Sequence, residues 1–157
     1  MSDNSVVSAH ERQLILFNLG HGSYGISIEN VFEIRKMEDI TIVPRAPKFI
    51  EGVINLRGNV IPVIDLRKRF GMEQIATTKK TKTIIVEVKK RQFGLIVDSV
   101  AEVVTLANDQ IEPSLPTVSG LKAEFINGIG KLNDKLIIIL EISRIIQSTE
   151  EIKVNDQ

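Results

Sequence analysis

The chain has 157 residues, 43% hydrophobic and 25% charged, enough for one ordinary domain or two very small ones sharing a core. Twenty acidic and twenty basic residues cancel, which argues against a general basic field for nucleic acid or anionic membrane. Without cysteine, disulfides and thiolate metal sites are excluded, and the longest wholly apolar run, Leu136 to Leu140, is far short of a membrane span.

Residues 1–12 read as a flexible tail without the basic, apolar, small-residue order of a signal peptide. The first strand is expected at QLILFNL (Gln13 to Leu19) and the second at YGISI (Tyr24 to Ile28). Between and into them runs GHGSYG (Gly20 to Gly25), formally a dinucleotide fingerprint. Such a fingerprint must open a helix whose N-terminus faces a pyrophosphate, and ISIENVFEI alternates instead, so this is a hairpin turn. A short helical turn at ENVF is expected to end near Glu33, followed by a third strand at ITIVP (Ile40 to Pro44). FIEGVINLRGNVIPVIDL (Phe49 to Leu66) then reads as a hairpin, with GVINL and NVIPVIDL as strands and Gly58-Asn59 at the reversal. Pro62 cannot donate to a ladder, which implies an edge or bulge position.

The polar stretch from Lys68 to Lys82 reads as a junction. Beyond it come TIIVEV, FGLIV, EVVTL, GIGKL and LIIILEI as five more strands, and residues 148–157 as a second flexible tail. The lysine clusters at Lys79-Lys80-Lys82 and Lys89-Lys90-Arg91 read as solvated loops, because no aromatics are interleaved with them.

The chain repeats itself. YGISIENVFEI (Tyr24 to Ile34) matches FGLIVDSVAEV (Phe93 to Val103) at an offset of 69, and Phe49 to Leu66 matches FINGIGKLNDKLIIILEI (Phe125 to Ile142) at an offset of 76. The seven extra residues place a longer loop in or near Glu112 to Glu124. No amphipathic pattern persists long enough for a crossover helix. The expectation is therefore all-β: two pseudo-repeated five-stranded barrels around a shared hydrophobic core, with short helical turns. They occupy about 13–75 and about 81–147 of a domain spanning 13–147, and it stays open whether terminal strands are exchanged between them.

Little in the sequence points to catalysis. His10 and His21 have no second histidine or cysteine at metal-ligand spacing, and no nucleophile with a positioned base is visible, so neither enzyme nor cofactor is expected. The repeat singles out another residue. Gly52 and Gly128, Leu56 and Leu132, and Asp65 and Glu141 match, whereas Arg57 corresponds to Asn133, so the hairpin closes without an arginine. Glu33 is the acid expected to pair with Arg57 and orient its guanidinium for a partner.

The blocks YGISIENVFEIRKM, IVPRAPKFIEGVINLRGNVIPVIDLRKRFG and FGLIVDSVAEVVTL closely resemble the CheW family of chemotaxis coupling proteins, over about Gln13 to Ile146. The resemblance implies two SH3-like five-stranded β-barrels and a cytoplasmic, non-catalytic adaptor at membrane-associated receptor arrays. Its implied partners are the regulatory domain of the chemotaxis histidine kinase CheA and the cytoplasmic helical tips of methyl-accepting chemoreceptors. It implies coupling roles for Glu33, Arg57 and Gly52, and a receptor groove near Val31, Ile34 and Val100. A coupler for another array, serving pilus motility or development, is equally compatible with these residues. A small β-barrel ligand-binding module is the alternative of a different class.

Overall fold

Leu14, Ile15, Leu16 and Phe17 are all buried, so the middle of the first strand has no solvent face. Leu14 and Leu16 pack with Leu106, Ile137 and Ile139, while Ile15 and Phe17 face a larger cluster on the other side. Burial on both faces is why this strand reads as a continuous apolar run.

A computed structural model describes residues 10–113 and 121–147. The elements are β1 (Glu11–Leu19), β2 (Gly22–Ser27), a 3-10 turn (Ile28–Asn30), β3 (Val31–Lys36), β4 (Ile50–Leu56), β5 (Asn59–Asp65) and helix α1 (Leu66–Arg69). The second half supplies β6 (Lys82–Val88), β7 (Arg91–Val97), β8 (Ser99–Ala107), β9 (Ile111–Glu112), β10 (Ile126–Leu132), β11 (Lys135–Leu140) and helix α2 (Ile142–Ile145). Two further 3-10 turns, Asn108–Gln110 and Ala123–Phe125, precede β9 and β10.

Two curled sheets result, with orders β8-β1-β2-β11-β10-β9 and β3-β6-β7-β5-β4. Each half of the sequence therefore lends its first hairpin to the other's sheet. The β1–β2 hairpin enters the six-stranded sheet, and β6–β7 enters the five-stranded one. The exchange follows the repeat in register. Val63 lies beside Gly94 in the parallel β5–β7 pair, and their repeat mates Ile139 and Gly25 lie side by side in β11–β2. Register shifts at Gly52 and Gly128 also coincide, as do α1 and α2.

Because of the exchange, alternate residues serve two cores. Ile54, Leu56, Ile61, Val63 and Ile85 fill the five-stranded sheet's own interior. Ile64, Leu66, Ile84, Val86, Phe93 and Leu95 join Phe17, Tyr24, Phe125, Leu140 and Ile145 in the shared core. A barrel this small buries too little surface to stand alone, and the shared core supplies the rest.

Three local expectations need correction. The third strand is VFEIRK, not ITIVP: Val31–Lys36 pairs with β6, while the 40–44 segment makes one bridge, Thr41 to Val53, and leaves Ile42 78% exposed. The β-branched run lacks a strand to pair with along its length. Glu33 consequently sits in mid-strand, after the 3-10 turn at Ile28–Asn30 rather than at the end of a helical turn. Pro62 lies on an internal strand. Opposite it, Val53 spends its N–H and C=O on Thr41, so the Val53–Pro62 pair exchanges no hydrogen bonds, and the ladder to β7 begins only at Val63. The missing N–H falls where nothing needs it.

β1 begins at Glu11, two residues inside the segment read as a tail. Residues 1–9 and 148–157, and most of the longer loop (114–120), lie outside the described residues.

Candidate functional site

Glu33 and Arg57 start from opposite margins of the five-stranded sheet. β3, which carries Glu33, is one edge, and β4, which leads to Arg57, is the other. The curl of the sheet brings them together: Arg57 Nη1 donates to Glu33 Oε1 at 2.7 Å. Arg35, two residues along the same face of β3, donates Nη1 to Glu33 Oε2 at 2.8 Å and Nε to Glu38. Both oxygens of Glu33 are thus engaged by guanidinium groups. Hydrogen bonding from Arg57 first, then from Arg35, holds its carboxyl below the usual glutamate range. Glu38 and Glu33 in turn hold the Arg35 guanidinium further toward its charged form.

The pair is asymmetric in exposure, with the Arg57 side chain 63% accessible and that of Glu33 only 23%. Ion pairs this open add little stability, so what the arrangement achieves is a guanidinium fixed in direction and presented to solvent. The backbone sharpens this. Arg57 has φ of 53° and Gly58 has φ of 87°, the left-handed pair that a two-residue turn between twisted strands requires. Asn133, its mate in the other repeat, has φ of 56°. Asparagine tolerates that region and arginine gains nothing from it.

The apolar residues expected at a groove are divided between the two sheets, Val31 and Ile34 on β3 and Val100 on β8. Val31 and Val100 occupy the same repeat position, and each is half-buried against the shared core. Ile34 pairs across to Ile84 of that core, yet is 40% exposed at the sheet edge. Phe32, half exposed, lies where the β3–β6 register shifts. It was missed from the sequence, although the repeat held the signal, because Ala101 stands at the matching position.

Gly52 presents no surface of its own. It is buried with φ of 153°, and a β-carbon there would lie 2.2 Å from the Thr41 carbonyl oxygen. What it allows is the close approach of the 40–42 segment over β4, where Thr41 bridges Val53.

Other polar clusters serve the fold. Arg67 grips Asp98 and donates to the Glu73 carbonyl, tying α1 to the β7–β8 connection and the junction. Arg69 lies over Phe49 at 4.1 Å and over its repeat mate Phe125 at 4.8 Å, while donating to the Ile145 carbonyl. Burial pushes this guanidinium toward lower pKa.

Two hollows, of 580 and 360 Å³, are the same place in the two repeats. Arg12 and Thr81, Ser27 and Ile96, and Asn127 and Glu51 line them in turn. Among the described residues no three His, Asp or Glu side chains are placed to hold a metal, and no helix is long and apolar enough to cross a membrane.

Known proteins agree with this architecture. The profile of the CheW-like domain matches residues 13–150. The chain is 34% identical to the chemotaxis protein CheW of Klebsiella aerogenes, over 88% of this chain and 84% of that one. It is 35% identical to the chemotaxis protein CheW of Thermotoga maritima, over 93% of each. The crystal structure of the scaffolding protein TtCheW from Thermoanaerobacter tengcongensis superposes with a TM-score of 0.81 at 40% identity, covering 93% of this chain and 97% of that one. The two curled sheets are paired SH3-like barrels, and the chain belongs to the CheW-like family.

Proposed function

We propose that this chain is a non-catalytic adaptor, joining the cytoplasmic helical tips of methyl-accepting chemoreceptors to the regulatory domain of the histidine kinase CheA. It works in the cytoplasm at membrane-associated arrays, supporting their assembly and the control of kinase autophosphorylation. The observation that carries this reading is the Glu33–Arg57 pair: an exposed guanidinium, fixed at a left-handed hairpin position that asparagine fills in the other repeat. Neither turn geometry nor stability explains an arginine there, and recognition of a partner does.

In this reading the receptor tip lies in an apolar groove bordered by Val31, Ile34 and Val100. The partner's aliphatic residues supply affinity, and the charged rim sets register. Glu33 and Arg57 couple to the partner directly, whereas Gly52 acts by keeping the 40–42 segment in place.

The test is calorimetric titration of the full chain into the isolated regulatory domain of the kinase from the same organism. Saturable one-to-one binding near micromolar affinity, about −8 kcal/mol, is the expected result. Absence of binding to every folded kinase domain of this type would sink the adaptor reading.

A further inference from the structure

The β4–β5 and β6–β7 turns lie at the same end of the five-stranded sheet. β5 and β7 run parallel with Val63 beside Gly94, so the residues just before them bring Val60 level with Arg91 and Asn59 level with Lys90. The strands are not yet laddered at that level. Between them is a hollow of about 390 Å³ lined by Asn59, Val60, Pro62, Lys90 and Arg91. Arg57, Lys89, Lys90 and Arg91 are all exposed around it, and Val60 is 49% exposed in their midst.

Backbone conformation separates this end from an ordinary solvated loop. Lys89 and Lys90 have φ of 53° and 67°, so both central turn positions, like Arg57 next to them, are left-handed. Each left-handed residue with a β-carbon is unfavourable by about 1 kcal/mol or more. Asparagine and glycine would relieve it.

The other repeat is a control for the whole end. β2 and β11 bring its two tips together in the same way, but those tips are Gly20-His21 and Asn133-Asp134. That end has glycine or asparagine where the first has Lys89 and Arg57, and an acid, Asp134, beside Lys135. Leu136 is exposed there where Val60 is exposed here. The fold accounts for the aliphatic residue at each end. It does not account for four cations at one of them, three in strained conformations.

We infer that this end of the five-stranded barrel is a docking surface for an acidic protein face. An aliphatic side chain of the partner enters the hollow against Val60, and its carboxylates meet Lys89, Lys90, Arg91 and Arg57. Two carboxylates stand by, Glu33 on Arg57 and Glu87 bonded to Gln92, leaving a surplus of two positive charges. A patch of two turns on a chain of zero formal charge is too local for a membrane or a polynucleotide, both of which engage broad basic fields. The hollow with Val60 calls for a shaped apolar counterpart, which a protein supplies.

The inference rests on the adaptor reading, and one experiment separates their failures. The full chain, the Lys89→Asn/Lys90→Gly variant and the Lys89→Arg/Lys90→Arg variant are titrated into the kinase regulatory domain and into a receptor helical-tip fragment at low and high salt. Melting temperatures are recorded alongside. The Asn-Gly variant is expected to melt no lower than the parent, yet to bind one partner about tenfold more weakly and with less dependence on salt. The Arg-Arg variant is expected to bind as the parent does. Parent-like binding by the Asn-Gly variant to both partners overturns the docking surface and leaves the adaptor reading standing. If the parent binds neither, the adaptor reading fails and takes this inference with it. Charge-dependent sedimentation with phosphatidylserine vesicles, without an effect on either protein partner, would overturn the protein-face assignment in favour of a membrane.

Discussion

Arg67 and Asp98 face each other through two hydrogen bonds, Nε to Oδ1 at 2.9 Å and Nη2 to Oδ2 at 2.6 Å. The carboxylate also accepts from the Gly20 amide at 2.7 Å, so one acid gathers α1, the β1–β2 turn and the β7–β8 connection. These parts come from both halves of the repeat, and the pair locks the exchanged hairpins to one another.

Asp98→Asn is therefore expected to lower stability by about 1 to 3 kcal/mol, since it leaves a largely covered guanidinium without its anion. A urea melt measures this. An unchanged midpoint would mean that the hairpin exchange is held by the shared core alone.

Acid should weaken the same contact. The hydrogen bond from Arg67 holds Asp98 below the ordinary aspartate range, so its contribution is complete above that range and is lost as pH falls through the depressed folded value. Asp65 acts in the opposite sense. Burial raises its pKa, so the folded state takes up its proton first and regains stability on acidification. The parent is expected to lose stability below about pH 4, with Asp98→Asn showing a shallower loss. Parallel pH profiles for the two proteins would contradict this assignment.

Arg57→Asn places the residue of the second repeat into the first. It keeps a left-handed turn, so the melting temperature should hold or rise, while binding to the kinase domain or receptor tip falls. A destabilised variant with unimpaired binding would turn Arg57 into a structural residue.

Gly52→Ala should damage the fold by about 2 kcal/mol or more, combining positive φ with a β-carbon driven into the Thr41 carbonyl. Gly128→Ala, at the same repeat position, meets the Ile111 methyl at 2.9 Å and is expected to be milder. Equal melting temperatures for the two variants would show that the 40–42 segment yields freely.

Ile137→Ala removes a fully buried side chain from the interior of the six-stranded sheet, and about 2 to 5 kcal/mol should be lost. Leu136→Ala, one residue earlier and 61% exposed, should stay within about 0.5 kcal/mol of the parent. Chemical denaturation of the pair checks the β11 register, because a slip by one residue reverses the two outcomes.

Much of the molecule was legible in the chain. The two-block repeat and the apolar runs of β1, β6, β7 and β11 follow from turn chemistry and side-chain patterning, which are local. The reversal expected at Gly58-Asn59 falls one residue earlier, at Arg57-Gly58, with Asn59 already paired to Leu56 in β5. The comparison of Arg57 with Asn133 singled out, without any coordinates, the arginine that the structure shows paired with Glu33 at a left-handed turn position, because a repeat shows which positions the fold leaves free. The misplaced third strand shows where such reading stops. ITIVP has better strand residues than VFEIRK, but Thr83, Ile84 and Ile85 lie alongside the second.

The tertiary structure decided what is long-range. A period-two pattern states that a strand has faces, not which neighbour will cover them. Only the assembled sheets show that β1–β2 and β6–β7 cross over, so that Ile15 and Ile84 look into one shared core. Likewise, only the curl of the five-stranded sheet sets Glu33, on one edge, within hydrogen-bonding reach of Arg57, beyond the other. The residues were written in the sequence. Their meeting depends on sheet closure, which no local propensity encodes.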